Sequence, residues 1–201
     1  VPRTYRAVVA AVWPVLHAWG RLRVVGAEVL PSSGPTLLVA NHDSAWDPLV
    51  VAAAARRRRQ IRALARSSLW AHPVLGRVLD AMGQIPIDRG QGDAGAIALA
   101  VTELAGGACI GVFPEGTVSR GRRLRARSGA GRLALAVPEA RLVCAAVTGT
   151  ADIVRFPRRP RLEVCFFVPA EGAGRSGGSP GELAERVLAE IRLRAPVPGS
   201  R

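Results

Sequence analysis

The sequence contains no lysine: all 28 cationic side chains among its 201 residues are arginine. Together with the abundance of Ala, Gly and Val, this reads as GC-rich codon usage rather than as chemistry. Only 15 acidic residues oppose them, so the net charge is +13 and the pI is near 11.6. A field of that size attracts anions, which points to nucleic acid, a membrane surface or phosphorylated and CoA-like substrates. Aromatics are also few, nine in all, and they are not interleaved with the arginines. No nucleic-acid recognition motif is visible either, so a nucleic-acid partner is not expected.

Cysteine is scarce. Cys109, Cys144 and Cys165 are odd in number, far apart and set in apolar runs, with no CxxC pair. That excludes a disulfide framework and predicts small buried hydrophobes. His17, His42 and His72 show no metal-ligand spacing, so no metal is expected. Long apolar runs are missing too. No stretch reaches the roughly 18 uncharged apolar residues of a membrane-spanning helix.

What is present is the composition of a folded domain, 49% hydrophobic and 21% charged. Disordered basic tails lack that apolar content. A chain of this length buries roughly 70% of its unfolded surface. Turn signals cut the sequence into short apolar runs alternating with helical patterns. Strands are predicted over 21–29, 36–40, 61–65, 84–87, 108–113, 142–147 and 162–168. Helices are predicted over 44–57 (Asp43 or Ser44 as N-cap), 69–82 (in two pieces around Pro73), 94–105, 129–136 and 182–194, with a Gly/Ser loop over 171–181. Alternation of this kind predicts one α/β domain with a largely parallel sheet, whose ligands bind at the carboxyl ends of the strands.

The N-terminal segment, 7–19, is apolar but interrupted by Pro14, and Arg3, Arg6, Arg21 and Arg23 flank it. No small-residue cleavage site follows it, so a signal peptide is not expected. Two readings remain for it. One is an interfacial helix with Trp13 and Trp19 at headgroup level; the other is a helix packed on its own domain. The expected division is therefore 1–20 as this helix, 21–195 as the main domain and 196–201 as a tail.

Two strand-end loops carry candidate chemistry. After 36–40 comes Asn41-His42-Asp43-Ser44-Ala45-Trp46-Asp47. A carboxylate on one imidazole nitrogen fixes the tautomer and leaves the other nitrogen as a base. No protein nucleophile accompanies the pair, so the proton would come from a substrate hydroxyl. The alternative is that His42 caps the following helix while Asp47 supports its N-terminus. After 108–113 comes Pro114-Glu115-Gly116-Thr117, read either as a pocket wall offering a carboxylate to hydroxyl groups or as a charged surface turn.

The two motifs in this order, Asn41-His42-(four residues)-Asp47 and then Phe113-Pro114-Glu115-Gly116-Thr117, resemble the 1-acylglycerol-3-phosphate acyltransferase family. The stretches 25–31, 83–89 (Gly-Gln-Ile-Pro-Ile-Asp-Arg) and 127–131 (Arg-Ser-Gly-Ala-Gly) are similar to the same family, and the likeness covers about 21–149. The resemblance implies a glycerol-phosphate acyltransferase-like fold, an α/β domain with a mostly parallel mixed sheet flanked by helices and a membrane-facing N-terminal helix. It implies acyl transfer from acyl-CoA or acyl carrier protein to a lysophosphatidate-like acceptor, with no cofactor. The setting it implies is an anionic membrane surface at the cytoplasmic face of the cell membrane. His42 would be the general base, Asp47 its orienting carboxylate and Arg89 a phosphate ligand. Glu115, Gly116 and Thr117 would form the acceptor block.

Two departures stand out. Val118 occupies the place where the family usually has arginine after Glu-Gly-Thr, with Arg120 close by to restore the charge. Arg66 stands where many members have lysine and keeps the role of a phosphate cation. Val118 also motivates an alternative acceptor, another lysophospholipid or a lyso-amino-lipid. A catalytically silent lipid-binding member is disfavoured by the intact His42 and Asp47. The runs 56–59 and 155–161 are basic; each reads as a solvated surface or as a contact for anionic headgroups.

Overall fold

The computed structural model describes residues 1–88, 94–154, 159–170 and 178–197. Its centre is a seven-stranded sheet: β1 (Arg23–Val25), β2 (Thr36–Ala40), β3 (Arg62–Arg66), β4 (Ile85–Ile87), β5 (Cys109–Val112), β6 (Arg141–Thr148) and β7 (Glu163–Phe167). The order across the sheet is β1-β7-β6-β2-β5-β3-β4. The five strands from β6 to β4 are mutually parallel, whereas β7 is antiparallel to β6 and carries β1 parallel beside it. The sheet is thus mixed and mostly parallel, as expected.

Six α-helices are described: α1 (Arg3–Pro14), α2 (Asp47–Ala54), α3 (Pro73–Ala81), α4 (Ala94–Ala105), α5 (Gly129–Ala136) and α6 (Pro180–Arg194). β2 is buried along its whole length, because helices cover both faces of the sheet. Alternate β2 residues divide between two cores. Leu38 and Ala40 pack with α1 and α2, and Leu37 and Val39 with α4, α5 and α6. Cys109 and Cys144 are buried in these cores, and burial pushes both thiols up to about 12.

Several boundaries differ from the sequence prediction. The first strand stops at Val25 because Gly26 takes φ +70°, and Ala27–Val29 forms a 3-10 turn. The helix predicted over 44–57 begins at Asp47 and ends at Ala54. Asp43 and Ser44 do not cap it. Their backbone N–H groups donate instead to Asp47 Oδ2 at 2.6 and 2.8 Å. The predicted loop over 171–181 falls largely outside the described residues.

Two of the four arginines after α2 are held by main-chain oxygens, Arg59 half-buried and Arg58 still exposed. Arg58 donates to Leu30 O at 3.0 Å. Arg59 donates to Gly34 O, Thr36 Oγ1 and Gly107 O within 2.9 Å. Arg56 lies 3.7 Å over the Trp13 ring. The N-terminal helix packs on the domain. Its Tyr5 and Val9 are buried, as is Leu16 in the π-helical turn Val15–Trp19 that follows Pro14. Trp19 is tied inward, its Nε1 donating to Ile153 O at 3.0 Å.

The docking of α6 on α5 depends on one glycine. A Cβ at Gly131 would lie 1.8 Å from Pro180 O, at the start of α6. A backbone oxygen cannot rotate away as a side chain can, so Gly131→Ala must separate the two helices. The expected cost is about 2 kcal/mol, a fall in Tm of roughly 4–8 °C in a thermal melt.

Candidate active site

In open α/β sheets the ligand crevice lies where consecutive connections leave in opposite directions. Here β2 leads through α2 toward β3, and β5 leads through α5 to β6 on the other side of β2. The carboxyl ends of the neighbouring strands β2 and β5 therefore frame the switch point. The two motif loops leave from those ends.

Asn41 continues β2 with its side chain. Its Oδ1 accepts from Val147 N and its Nδ2 donates to Val147 O, both at 2.8 Å, so the loop is anchored to β6. The next residue, His42, is only 6% exposed. Its Nδ1 lies 3.1 Å from Asp47 Oδ2, which leaves Nε2 as the free ring nitrogen. Asp47 is fully buried, and its Oδ2 also takes the Asp43 and Ser44 amides. Its Oδ1 is buried without a hydrogen-bond partner. His42 is the ion-pair partner of Asp47, so a proton taken up by the imidazole meets a carboxylate held against it. The Phe113 ring covers the other side, centroids 4.6 Å apart.

Glu115 does not stand open to a ligand, contrary to the reading as an acceptor for substrate hydroxyls. Its side chain is fully buried and both oxygens are engaged. Oε2 accepts from His42 N at 2.6 Å, and Oε1 accepts from Arg192 Nη2. Arg192 also donates to Asp43 Oδ1 and Oδ2, each at 2.9 Å. Ser119 completes the frame, with its N donating to His42 O at 2.7 Å and its Oγ to Asp43. Burial pushes the Glu115 carboxyl above the usual carboxylate range, and Arg192 and the His42 amide pull it only part of the way back. Burial alone would lower the Arg192 guanidinium, but the Asp43 and Glu115 carboxylates outweigh it and hold it higher.

No motif or spacing in the sequence marks Arg192. It stands in the last turn of α6, and the fold turns it inward to two carboxylates 77 and 149 positions away. Ser119 was likewise unassigned, and Asp43 was read only as a helix cap. The one available signal was Glu115 itself, since a buried carboxylate demands a cation or a cluster of donors.

Gly116 does what its residue type suggests. It takes φ +68°, and a Cβ there would lie 2.5 Å from the Arg127 side chain. Arg127 is fixed over this turn by its N–H donating to Pro114 O at 2.7 Å. Beside it opens a cavity of about 370 Å³, apolar inside (Leu64, Ile97, Val112, Phe113) and edged by Arg127 and Arg132. Phe113 separates this cavity from the imidazole. The arginines expected at the phosphate are placed differently. Arg66 ends β3, exposed, and does not line the cavity. Arg120 sits beside Ser119, exposed at φ +50°, and does not line it either. Thr117 is exposed, and Arg89 lies outside the described residues. Among the described residues no group of three or more His, Cys, Asp or Glu side chains could hold a metal ion.

The family model Acyltransferase matches residues 21–151. A 1-acyl-sn-glycerol-3-phosphate acyltransferase of Borreliella burgdorferi is 34% identical over 103 residues, which are 50% of this chain and 40% of that protein. The chain therefore matches less than half the length of that relative. The crystal structure of the 1-acyl-sn-glycerophosphate (LPA) acyltransferase PlsC from Thermotoga maritima has a similar fold. Its TM-score is 0.69 at 18% identity, covering 96% of this chain and 82% of that one.

Proposed function

This chain belongs to the acyltransferase family, and from that premise we propose that it transfers a fatty acyl group from an acyl thioester to the free hydroxyl of 1-acylglycerol-3-phosphate. The observation that carries the reading is the buried His42–Asp47 pair at 3.1 Å with no protein nucleophile assigned beside it. Nε2 of His42 takes the proton as the acceptor oxygen attacks the thioester carbonyl. The new C–O bond forms, the C–S bond breaks, and the proton passes from the imidazolium to the departing thiolate. Asp47 steadies the imidazolium in between. No cofactor is needed, because the thioester supplies the driving force.

Guanidinium groups bind phosphate in paired hydrogen bonds. Arg127 and Arg132 edge the cavity, while Arg66 and Arg120 stand at the same carboxyl end of the sheet. With Arg89 and Thr117 they are the candidates for the acceptor phosphate and glycerol. The Glu115 and Gly116 turn shapes that wall. The apolar cavity suits an acyl chain. Among the described residues no helix is long and apolar enough to cross a membrane. A peripheral or monotopic enzyme at the cytoplasmic face would meet its lipid acceptor there and its donor, acyl-CoA or acyl carrier protein, from the cytosol. The N-terminal helix would take part through its arginines.

The test is thioester consumption by the purified protein with a panel of acceptors. Lysophosphatidate is expected to be acylated in preference to neutral-head acceptors. Half-buried Val118, in place of the family's usual arginine, favours the second reading, in which another lysophospholipid or a lyso-amino-lipid is preferred. Absence of turnover with every acceptor would reject both.

A further inference from the structure

Between Glu115 and Glu139 the chain carries Arg120, Arg122, Arg123, Arg125, Arg127 and Arg132 and no acid. All six are exposed, and none makes a side-chain hydrogen bond or ion pair among the described residues. The other arginine-rich stretch, 56–62, is largely engaged inside the fold. Arg56 covers Trp13, Arg58 and Arg59 bind carbonyl oxygens, and Arg62 pairs with Glu103.

Five of the six stand on one loop, 119–127, clamped at both ends against the candidate active site. Ser119 N donates to His42 O, and Arg127 N to Pro114 O, each at 2.7 Å. Ala126 N donates to Glu185 Oε2 at 2.5 Å. Arg122 N donates to Ser119 O at 3.0 Å across a turn whose central residues, Arg120 and Gly121, take φ +50° and +78°. Left-handed backbone favours glycine and asparagine, so position 120 keeps an arginine against its backbone preference. Close, bonded ends make this a compact Ω-type loop rather than a frayed connection.

The exposed acids around the loop are Glu185, Glu182 in the capping box of α6, and Asp88 on the edge of the cavity. They stay negative and offset three of the six charges, while the buried Asp43 and Glu115 share Arg192. None of these acids lies on the loop, so Arg122, Arg123 and Arg125 at its tip form a surface of one sign. No large apolar side chain of the loop is exposed, and Leu124 is half-buried; a segment entering lipid needs exposed Leu, Phe or Trp. The three tip arginines do not line the cavity, and no aromatic residue lies between Phe113 and Phe156 to stack an adenine. A nucleotide therefore finds neither a concave site nor a stacking face there. Exposed, spread guanidinium groups on a clamped loop instead complement the carboxylates of an acidic protein surface.

We propose that the 119–127 loop is the docking surface for an acidic carrier protein that holds the acyl group as a thioester, with Arg122, Arg123 and Arg125 meeting the carrier's carboxylates. This rests on the proposed function in taking His42 as the base, since the foot of the loop is bonded to that residue. A carrier docked at the tip delivers its thioester beside the imidazole. A small thioester without a protein surface does not depend on the tip.

The experiment compares the full chain with the variant Arg122→Glu/Arg123→Glu/Arg125→Glu, using a holo acyl carrier protein and its acyl thioester as probes. Titration of the parent with the holo carrier is expected to show saturable binding that weakens as salt is added. The triple variant is expected to weaken that binding by at least about tenfold. KM for the carrier-bound thioester should rise by a similar factor, with kcat and the KM for acyl-CoA nearly unchanged. Arg57→Glu/Arg77→Glu/Arg141→Glu, at three exposed positions outside the loop, removes the same charge and is expected to weaken binding far less. Circular dichroism melts keep misfolding from imitating the result. Absence of carrier binding by the parent, or binding that the loop variant leaves intact, would overturn the docking surface. So would an equal loss in the charge-matched variant, an equal rise in KM for acyl-CoA, or lost vesicle flotation with carrier binding intact; these mark bulk charge, a nucleotide site and a bilayer contact in turn. Loop-dependent carrier binding with no acyl transfer by any form would uphold the docking surface and reject the proposed reaction.

Discussion

His42→Ala is expected to lower acyl transfer by about 100- to 10,000-fold, the range for removing a positioned general base. That corresponds to roughly 3–5 kcal/mol of lost transition-state stabilisation. The fold is expected to survive. The anchors of the loop are backbone and neighbouring groups: Asn41 on Val147, the His42 amide on Glu115, and Ser119 N on His42 O. None of them uses the imidazole. Asp47 keeps the Asp43 and Ser44 amides when the ring is gone. A thermal melt close to that of the parent, beside collapsed turnover at saturating thioester, is the expected pair of results. Equal turnover in both proteins would reject the base.

Arg192→Met is expected to damage stability and activity together. The side chain is buried between Asp43 and Glu115, and its removal leaves two carboxylates facing each other without a cation. Breaking a buried pair from one side costs about 3–5 kcal/mol, so Tm should fall by roughly 10 °C. Activity follows because Glu115 Oε2 holds the backbone amide of His42. The loss should appear chiefly in kcat, with KM for the acceptor nearly unchanged, since Arg192 does not line the cavity.

The pH dependence has a definite sign. Burial already raises the Glu115 carboxyl above its ordinary value, and loss of the guanidinium raises it further. A carboxyl whose folded pKa is raised favours the folded state fully below its unfolded pKa, and that contribution is lost as pH rises through the folded value. The stability gap between variant and parent should therefore be wide at neutral pH and narrow toward about pH 4, the unfolded carboxylate range. Denaturant midpoints at a series of pH values measure it. A gap independent of pH would reject the account.

The readings that needed only local information held best. Strand β2 has the bounds predicted for it, because a short all-apolar run closed by Asn and His can be buried on both faces or not at all. Helices α4 and α5 likewise start and stop where glycine, periodicity and the end of the apolar pattern put them. His42 and Asp47 were legible as a pair because five positions bring a strand-end loop back on the following helix. The start of α2 was missed because the Asp47 carboxylate serves the amides before the helix, a use that propensity alone does not reveal.

The sequence by itself determined the alternation of elements, the two motif loops, and the absence of any long apolar run or cysteine framework. These rest on neighbours along the chain, where spacing and residue type are enough. Tertiary structure alone decided that Glu115 is buried against Arg192 and the His42 amide, that Arg192 from the last helix braces the loop that carries His42, and that Arg58 and Arg59 bond to carbonyl oxygens. It also decided that Arg127 and Arg132, and not Arg66 or Arg120, edge the cavity. Each of these depends on which charges meet after burial. The low dielectric of the interior makes every buried charge find a partner, and partners many tens of residues apart are chosen by the packing of α5 on α6 and of β2 between β5 and β6.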